Sequence, residues 1–346
     1  MPEEGVEEFL DRTDANSVSP LVCYLLKNSE MWDLWPLKLR QGLEAISEKY
    51  IAIYLVRKME IENILAVFSK ENIENILLKG FPLSYLVYPS AYLRPSADID
   101  FLIHERDNEK IERIVKNLGY TVPLQVPSHE WTAVKKDAHQ IRHSLDFHWK
   151  ISNAYTFSQM LSFEEIQKKS VLLPSFPGSA KTLCLEQALF LAAIHRTGHH
   201  ANESRLIWLY DIHLIFSRMQ KEEIDSFLTL AKEKKAAAIC LEALTLTKEW
   251  IGTAVSEEVL GRLKRDKEEH EEPSASYLKR GNPRTRDLIH NVKALPPKER
   301  FSFLWRYAFP GSEYILKKYS CHNRLWVPVL YVRRGFEGLC KILKRT

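Results

Sequence analysis

The sequence predicts an α+β protein: a small mixed β-sheet core with flanking helices, then a mainly α-helical second domain and a basic helical tail. Three observations predict it. Short apolar runs with strand-like alternation fall within residues 75–151. From residue 179 to 250 the apolar residues recur at helical spacing. From Lys279 to Thr346 there are 16 Lys or Arg against 4 Asp or Glu, whereas the rest of the chain holds 33 against 41. The expected organisation is an N-terminal helical region (1–58), the core (59–155), a helical domain (156–262), a charged linker (263–286) and a basic, aromatic C-terminal region (287–346).

The elements follow in chain order. Residues 1–58 read as helices interrupted by a loop at Asp14–Pro20. Ile61, Ile64, Leu65 and Phe68 line one helical face. Asn75–Gly80 reads as a short buried strand stopped by glycine, and Pro82–Tyr88 as a helix with proline in its first turn. Asp98–Ile103 alternates and then turns wholly apolar, as a partly exposed strand end does. Asp107–Leu118 is amphipathic, with Gly119 as its stop. Tyr120–Val126, Trp131–Lys135 and Arg142–Ile151 read as strands, the last two joined by a turn at Lys136–His139. Four helices follow over Ser179–Thr197, Arg205–Arg218, Lys221–Lys234 and Ala237–Trp250. Dense charge with Pro273 and Gly281-Asn-Pro283 marks 262–286 as the linker.

Composition limits the classes of function. The 346 residues are 45% hydrophobic and 27% charged, with a net charge of +4. No apolar run approaches the roughly 18 residues of a membrane-spanning helix. The five cysteines are scattered, with no Cys-x-x-Cys pair, which speaks against a disulfide framework or a cysteine zinc site. The acidic opening Met-Pro-Glu-Glu is unlike a secretory signal, so a cytoplasmic location is expected.

The chemistry resides in aspartates. Residues two apart on a strand share a face, so Asp98 and Asp100 point one way while Ile99 and Phe101 point into the core. Two adjacent carboxylates repel unless a cation sits between them or one takes a proton. Magnesium, a hard cation, suits such oxygen ligands. In Ser144-Leu-Asp-Phe-His-Trp149 the alternation is strict: Ser144, Asp146 and His148 on one face, Leu145, Phe147 and Trp149 on the other. An aspartate on a core-like strand needs a partner, either a metal shared with Asp98 and Asp100 or a salt bridge to Arg94 or Arg142. Leu77–Gly80 followed by Pro82 sets a strand, a glycine turn and a helix start in succession, a geometry that favours phosphate oxygens or is an ordinary strand–helix turn.

These residues resemble the polymerase-beta-like nucleotidyltransferase superfamily, and within it the bacterial uncharacterised nucleotidyltransferase family. The resemblance rests on Leu78-Lys79-Gly80, Tyr88-Pro89, Arg94-Pro95, Asp98-Ile99-Asp100 and Asp146-Phe147-His148-Trp149. It extends to His195, Trp208-x-x-Asp211, Phe309–Tyr314 and Tyr331–Arg334. It implies a nucleotidyltransferase core that uses Mg2+ (or Mn2+) held by Asp98, Asp100 and Asp146. It also implies transfer of a nucleoside monophosphate from a nucleoside triphosphate, ATP first, to an acceptor hydroxyl. The acceptor is open: small molecule, sugar, protein or tRNA. Lys79, Gly80, Ser84 and Arg94 are the expected phosphate-binding residues. His148, His195 and Asp211 are expected to orient the acceptor or to serve structure.

Phe81-Pro82 stands where the superfamily has a small residue, and Pro82 lacks an N–H. That supports an alternative, a nucleotidyltransferase-fold binding protein without turnover; a metal-assisted hydrolase is a third reading. His195 and His199 share a helical face if the helix passes Gly198, but without the glutamate of the zinc-protease motif. Phe336, Leu339, Cys340 and Leu343 line one face of the last segment, beside Arg334, Lys341, Lys344 and Arg345. That face suits packing on the body, an anionic membrane or an RNA partner.

Overall fold

The computed structural model describes residues 5–343 apart from 124–128, 174–175, 177–179, 201, 280–287, 290, 294 and 322, and apart from the side chains of 199, 306 and 339–343. It is a mixed α+β structure organised on one six-stranded sheet. The strands are β1 (Asn75–Leu78), β2 (Ile99–Ile103), β3 (Glu130–Lys136), β4 (Arg142–His148), β5 (Val171–Leu172) and β6 (Lys181–Thr182), in the order β3-β4-β2-β1-β6-β5. β1 runs antiparallel to β2, β2 parallel to β4, and β4 antiparallel to β3.

Alternation along β2 and β4 gives the sheet two faces. Ile99, Phe101, Leu145 and Phe147 point to one side and pack on Ile61, Ile64 and Phe68 of α3 (Leu37–Lys70) and on Ile111 and Val115 of α5 (Asn108–Asn117). Phe68, Phe101 and Phe147 are fully buried, and each such ring contributes roughly 2–3 kcal/mol. Their rings meet at 5.3–6.1 Å between centroids. The opposite face carries Asp100 and Asp146, together with apolar residues of the helical domain's core such as Ile76, Leu78 and Leu102.

α3 crosses residue 58, the expected end of the N-terminal region, without a break. Its first half holds α1 (Val6–Ala15) and α2 (Ser19–Lys27) through Leu39 and Leu43; its second half covers the sheet. α4 (Gly80–Leu86) follows β1 directly. The expected strand at Tyr120–Val126 appears as a bridge between Thr121 and Val134; residues 124–126 lie outside the described residues.

After the short helices α6 (Tyr155–Ser158) and α7 (Phe163–Lys169), the helical domain consists of α8 (Leu185–Ile194), a π-helical turn at His195–His199, α9 (Leu206–Arg218), α10 (Lys221–Glu233), α11 (Ala237–Ile251) and α12 (Glu257–Glu269). Residues 263–269, read from the sequence as the start of a linker, continue α12, with Leu263 buried. Glu272 then accepts hydrogen bonds from the N–H groups of Ala237 and Ala238 at 2.8 and 2.7 Å, capping α11. Ser274 and Tyr277 are buried behind it. Dense charge predicts a linker here, but the side chain of Glu272 is consumed by a helix end. Residues 280–286 of the expected linker lie outside the described residues.

After the helix Pro297–Ala308, the helices Ser312–Lys318 and Val327–Leu343 pack together and bury Ile315, Leu316 and Leu330. Phe301, Trp305, Trp326 and Phe336 are exposed. Among the described residues no helix is long and apolar enough to cross a membrane.

Candidate active site

The site begins where β1 ends. Lys79, between β1 and α4, has φ 60° and ψ −136°, a left-handed conformation that costs a non-glycine residue about 1–3 kcal/mol. This bend carries its side chain over the carboxylate face of the sheet. Nζ lies 2.6 Å from Asp100 Oδ1. A Cβ on the next residue, Gly80, would lie 2.8–2.9 Å from the Arg94 guanidinium and push it from its place.

Asp100 and Asp146 are direct neighbours across the parallel pair of β2 and β4, and Thr132 of β3 stands opposite Asp146. Asp98 immediately precedes β2. Their titration differs sharply. Burial alone would raise the Asp100 pKa, but Lys79 and His148 outweigh it and hold the carboxyl at about 2. Burial pushes Asp146 up to about 6, with the charges of Asp100 and Asp98 adding and Thr132 opposing. Asp98 is raised by burial and by Asp100. Asp146 Oδ1 is buried without a hydrogen-bond partner. Crowded carboxylates and an orphaned oxygen fit a hard cation as a donor set. However, the oxygens of Asp98, Asp100 and Asp146 do not all lie within 4.8 Å of one another; among the described residues the group that does is His129, Glu130 and His148.

His148 is fully buried at the end of β4. Its Nε2 lies 2.8 Å from Asp100 Oδ1 and, facing a carboxylate, carries the proton. Its Nδ1 lies 2.9 Å from Glu130 Oε2, out of line for a hydrogen bond. Lys79 is buried, which lowers its pKa, yet Asp100, Glu130 and Asp98 raise it further, so the ammonium stays charged.

A second element closes the site from the helical domain. The Arg94 fork donates to Asp211 of α9, Nε to Oδ1 at 3.0 Å and Nη2 to Oδ2 at 2.7 Å, and Tyr88 donates to the same carboxylate at 2.7 Å. Arg94 Nη1 donates to the Pro95 carbonyl at 2.6 Å. Arg94 and Asp211, 117 residues apart, thus fasten the core to the helical domain. Between them and the carboxylates lies a cleft of about 170 Å³. Lys79, Gly80, Asp98 and Asp100 line its core side, and His195, His200, Arg205 and Trp208 the other. His200 packs on Trp208 with 4.1 Å between ring centroids, and His195 Nε2 is 3.2 Å from His200 Nε2.

The expected site residues are therefore distributed as follows. Lys79, Gly80, Arg94, Asp98, Asp100 and His195 line one cleft; Asp146 and His148 join it through Asp100. Asp211 meets the cleft through Arg94. Ser84 is turned away: its buried hydroxyl donates to the Phe81 carbonyl at 2.6 Å, on the far side of Arg94. The side chain of His199, paired with His195 in the sequence pattern, is outside the described residues. Glu130, His129 and Arg205 were not singled out by the sequence. Glu130 becomes visible only once the β3–β4 register sets it opposite His148.

A strained turn beside aspartates on adjacent strands is the kind of site that handles a cation and phosphate. The chain belongs to the uncharacterised nucleotidyltransferase family, whose model matches residues 2–252. No curated protein matches it. Among solved structures, it is similar to the solution structure of the antibiotic-resistance factor ANT(2'')-Ia, at 15% identity and a TM-score of 0.38. The match covers 54% of this chain and 94% of that one.

Proposed function

We propose that the protein is a metal-dependent nucleotidyltransferase, moving a nucleoside monophosphate from a triphosphate, ATP first, to an acceptor hydroxyl with release of pyrophosphate. The observation that carries this reading is the in-register pair Asp100 and Asp146, with its orphaned oxygen, beside the Lys79 turn.

Asp98 and Asp100 would hold Mg2+ or Mn2+, with Asp146 as the third ligand or as base. A divalent cation there supplies neutralisation of the phosphate charge and acidifies the acceptor hydroxyl. Without a cation Asp146 is pushed up to about 6; a bound cation would lower it again and keep the carboxylate ionised to take the acceptor proton. The acceptor oxygen bonds to the α-phosphorus, the α–β bridging bond breaks, and pyrophosphate leaves. Lys79, which neutralises Asp100 in the absence of ligand, would move to the phosphate oxygens. Gly80 lets the chain pass close to Arg94, and Arg94, held by Asp211, would brace the turn. Trp208 and His200 offer an aromatic wall for a base.

The test is incubation with each α-labelled triphosphate, Mg2+ or Mn2+, and cell extract. Label moving to one acceptor with pyrophosphate release supports the proposal. The spread of the three carboxylates favours one rival, a binding protein without turnover. It predicts cation-dependent nucleotide binding and no release. Hydrolysis needing no acceptor would replace transfer with hydrolase chemistry.

A further inference from the structure

We propose a second metal site, distinct from the aspartate cluster, in which His129, Glu130 and His148 hold a transition-metal ion of the zinc type. Three ligand atoms converge. Glu130 Oε2 lies 3.2 Å from His129 Nε2 and 2.9 Å from His148 Nδ1, and one ligand atom from each of the three residues lies within 4.8 Å of the other two. Ligands at about 2.0–2.2 Å around a tetrahedral zinc ion are separated by about that much.

Two imidazoles and one carboxylate are a borderline donor set. It suits zinc rather than magnesium, which prefers oxygen throughout. His148 supplies an independent observation. It is 1% exposed, and its Nδ1 lies 2.9 Å from Glu130 Oε2 but poorly aligned for a hydrogen bond. Its other nitrogen donates to Asp100 at 2.8 Å. A metal-bound histidine characteristically donates its second N–H to a carboxylate, which fixes the tautomer and aims the free lone pair at the ion. An entering ion would displace the proton that Nδ1 shares with Glu130 and take its lone pair, which faces the converging atoms.

The strands make the arrangement rigid. Glu130 and His148 are direct partners in the β3–β4 ladder, and Trp149 N–H donates to the His129 carbonyl at 3.0 Å. The Glu130 side chain is 35% exposed, so an ion can enter from solvent and a fourth position stays open to water. Through His148 the ion would set the orientation of Asp100, which makes His148 a positioning residue for the aspartate cluster.

The test uses the full-length chain, stripped with chelator, reloaded with Zn2+ and desalted. Zinc per chain is measured by mass spectrometry, and affinity by competition with a chromogenic chelator. About one equivalent is expected in the wild type and in Asp98→Asn, which alters only the aspartate cluster. His129→Gln and Glu130→Gln should each weaken binding at least about tenfold. X-ray absorption on the zinc-loaded wild type keeps the test decisive if a variant fails to fold: a shell of nitrogen and oxygen with imidazole scattering is expected. No retained zinc, a sulfur shell, or unchanged affinity in both variants overturns the proposal. Zinc lost in Asp98→Asn but kept in His129→Gln would place the ion at the aspartates and also overturn it. None of these outcomes bears on nucleotidyl transfer, which the labelled triphosphates test separately.

Discussion

Lys79 Nζ lies 2.6 Å from Asp100 Oδ1, so a largely buried ammonium neutralises the carboxylate that the proposed chemistry assigns to a cation. Removing one partner of a buried pair leaves the other uncompensated, at a cost of about 3–5 kcal/mol. Lys79→Met should lose that much in urea unfolding without divalent cations and recover part of it with Mn2+. Equal loss with and without Mn2+ would mean that no cation takes the place of the ammonium.

The backbone at Lys79 gives a second comparison. At φ 60° and ψ −136° alanine is strained and glycine is not. Both variants lack the ammonium, so Lys79→Gly should exceed Lys79→Ala in stability by about 1 kcal/mol. The reverse order would contradict the strained turn.

Asp146 makes stability depend on pH. Its folded pKa of about 6 lies above the ordinary 3.8, so the native state binds the proton more tightly than the unfolded chain. The resulting stability is complete below pH 3.8 and is lost as pH rises through about 6. In chelator, Asp146→Asn should therefore match the wild type near pH 3.5 and exceed it by on the order of 2 kcal/mol above pH 7. Thermal melts across this range check it. Parallel curves for the two proteins would remove the proposed crowding of charge.

Arg94 and Asp211 are 9% and 5% exposed, and the fork between them is one that lysine cannot reproduce. Asp211→Asn should cost about 3–5 kcal/mol, and Arg94→Lys should also be clearly destabilising. Gly80→Ala, whose Cβ would strike the same guanidinium, should cost about 1–3 kcal/mol. Combined with Asp211→Asn the loss should be non-additive by at least about 0.5 kcal/mol, because the two changes share Arg94. Simple additivity in chemical denaturation would show that the turn and the domain junction are independent.

What could be read from the sequence was what depends on local periodicity. Alternation alone set Asp100 and Asp146 on one face, with Phe101 and Phe147 on the other, and the glycine after Lys79 marked the turn. Contacts between distant segments left no such trace. Nothing near Arg94 signals that its fork is taken by Asp211, and nothing near Ser84 signals that its hydroxyl closes back on Phe81. Glu130 looks like any strand-end charge until the register sets it against His148. The two-residue strands β5 and β6 are too short to show a period, and α12 was hidden by charge, since only Val259 and Leu263 of its residues are buried.

Nucleotidyl transfer is assigned here to aspartates from adjacent strands. The most direct measurement is pyrophosphate release from the preferred triphosphate and acceptor by the wild type and by Asp98→Asn and Asp100→Asn, with circular dichroism confirming the fold. Each substitution is predicted to lower the rate at least about 100-fold. Release within a few fold of the wild type in either folded variant would remove these aspartates from the chemistry.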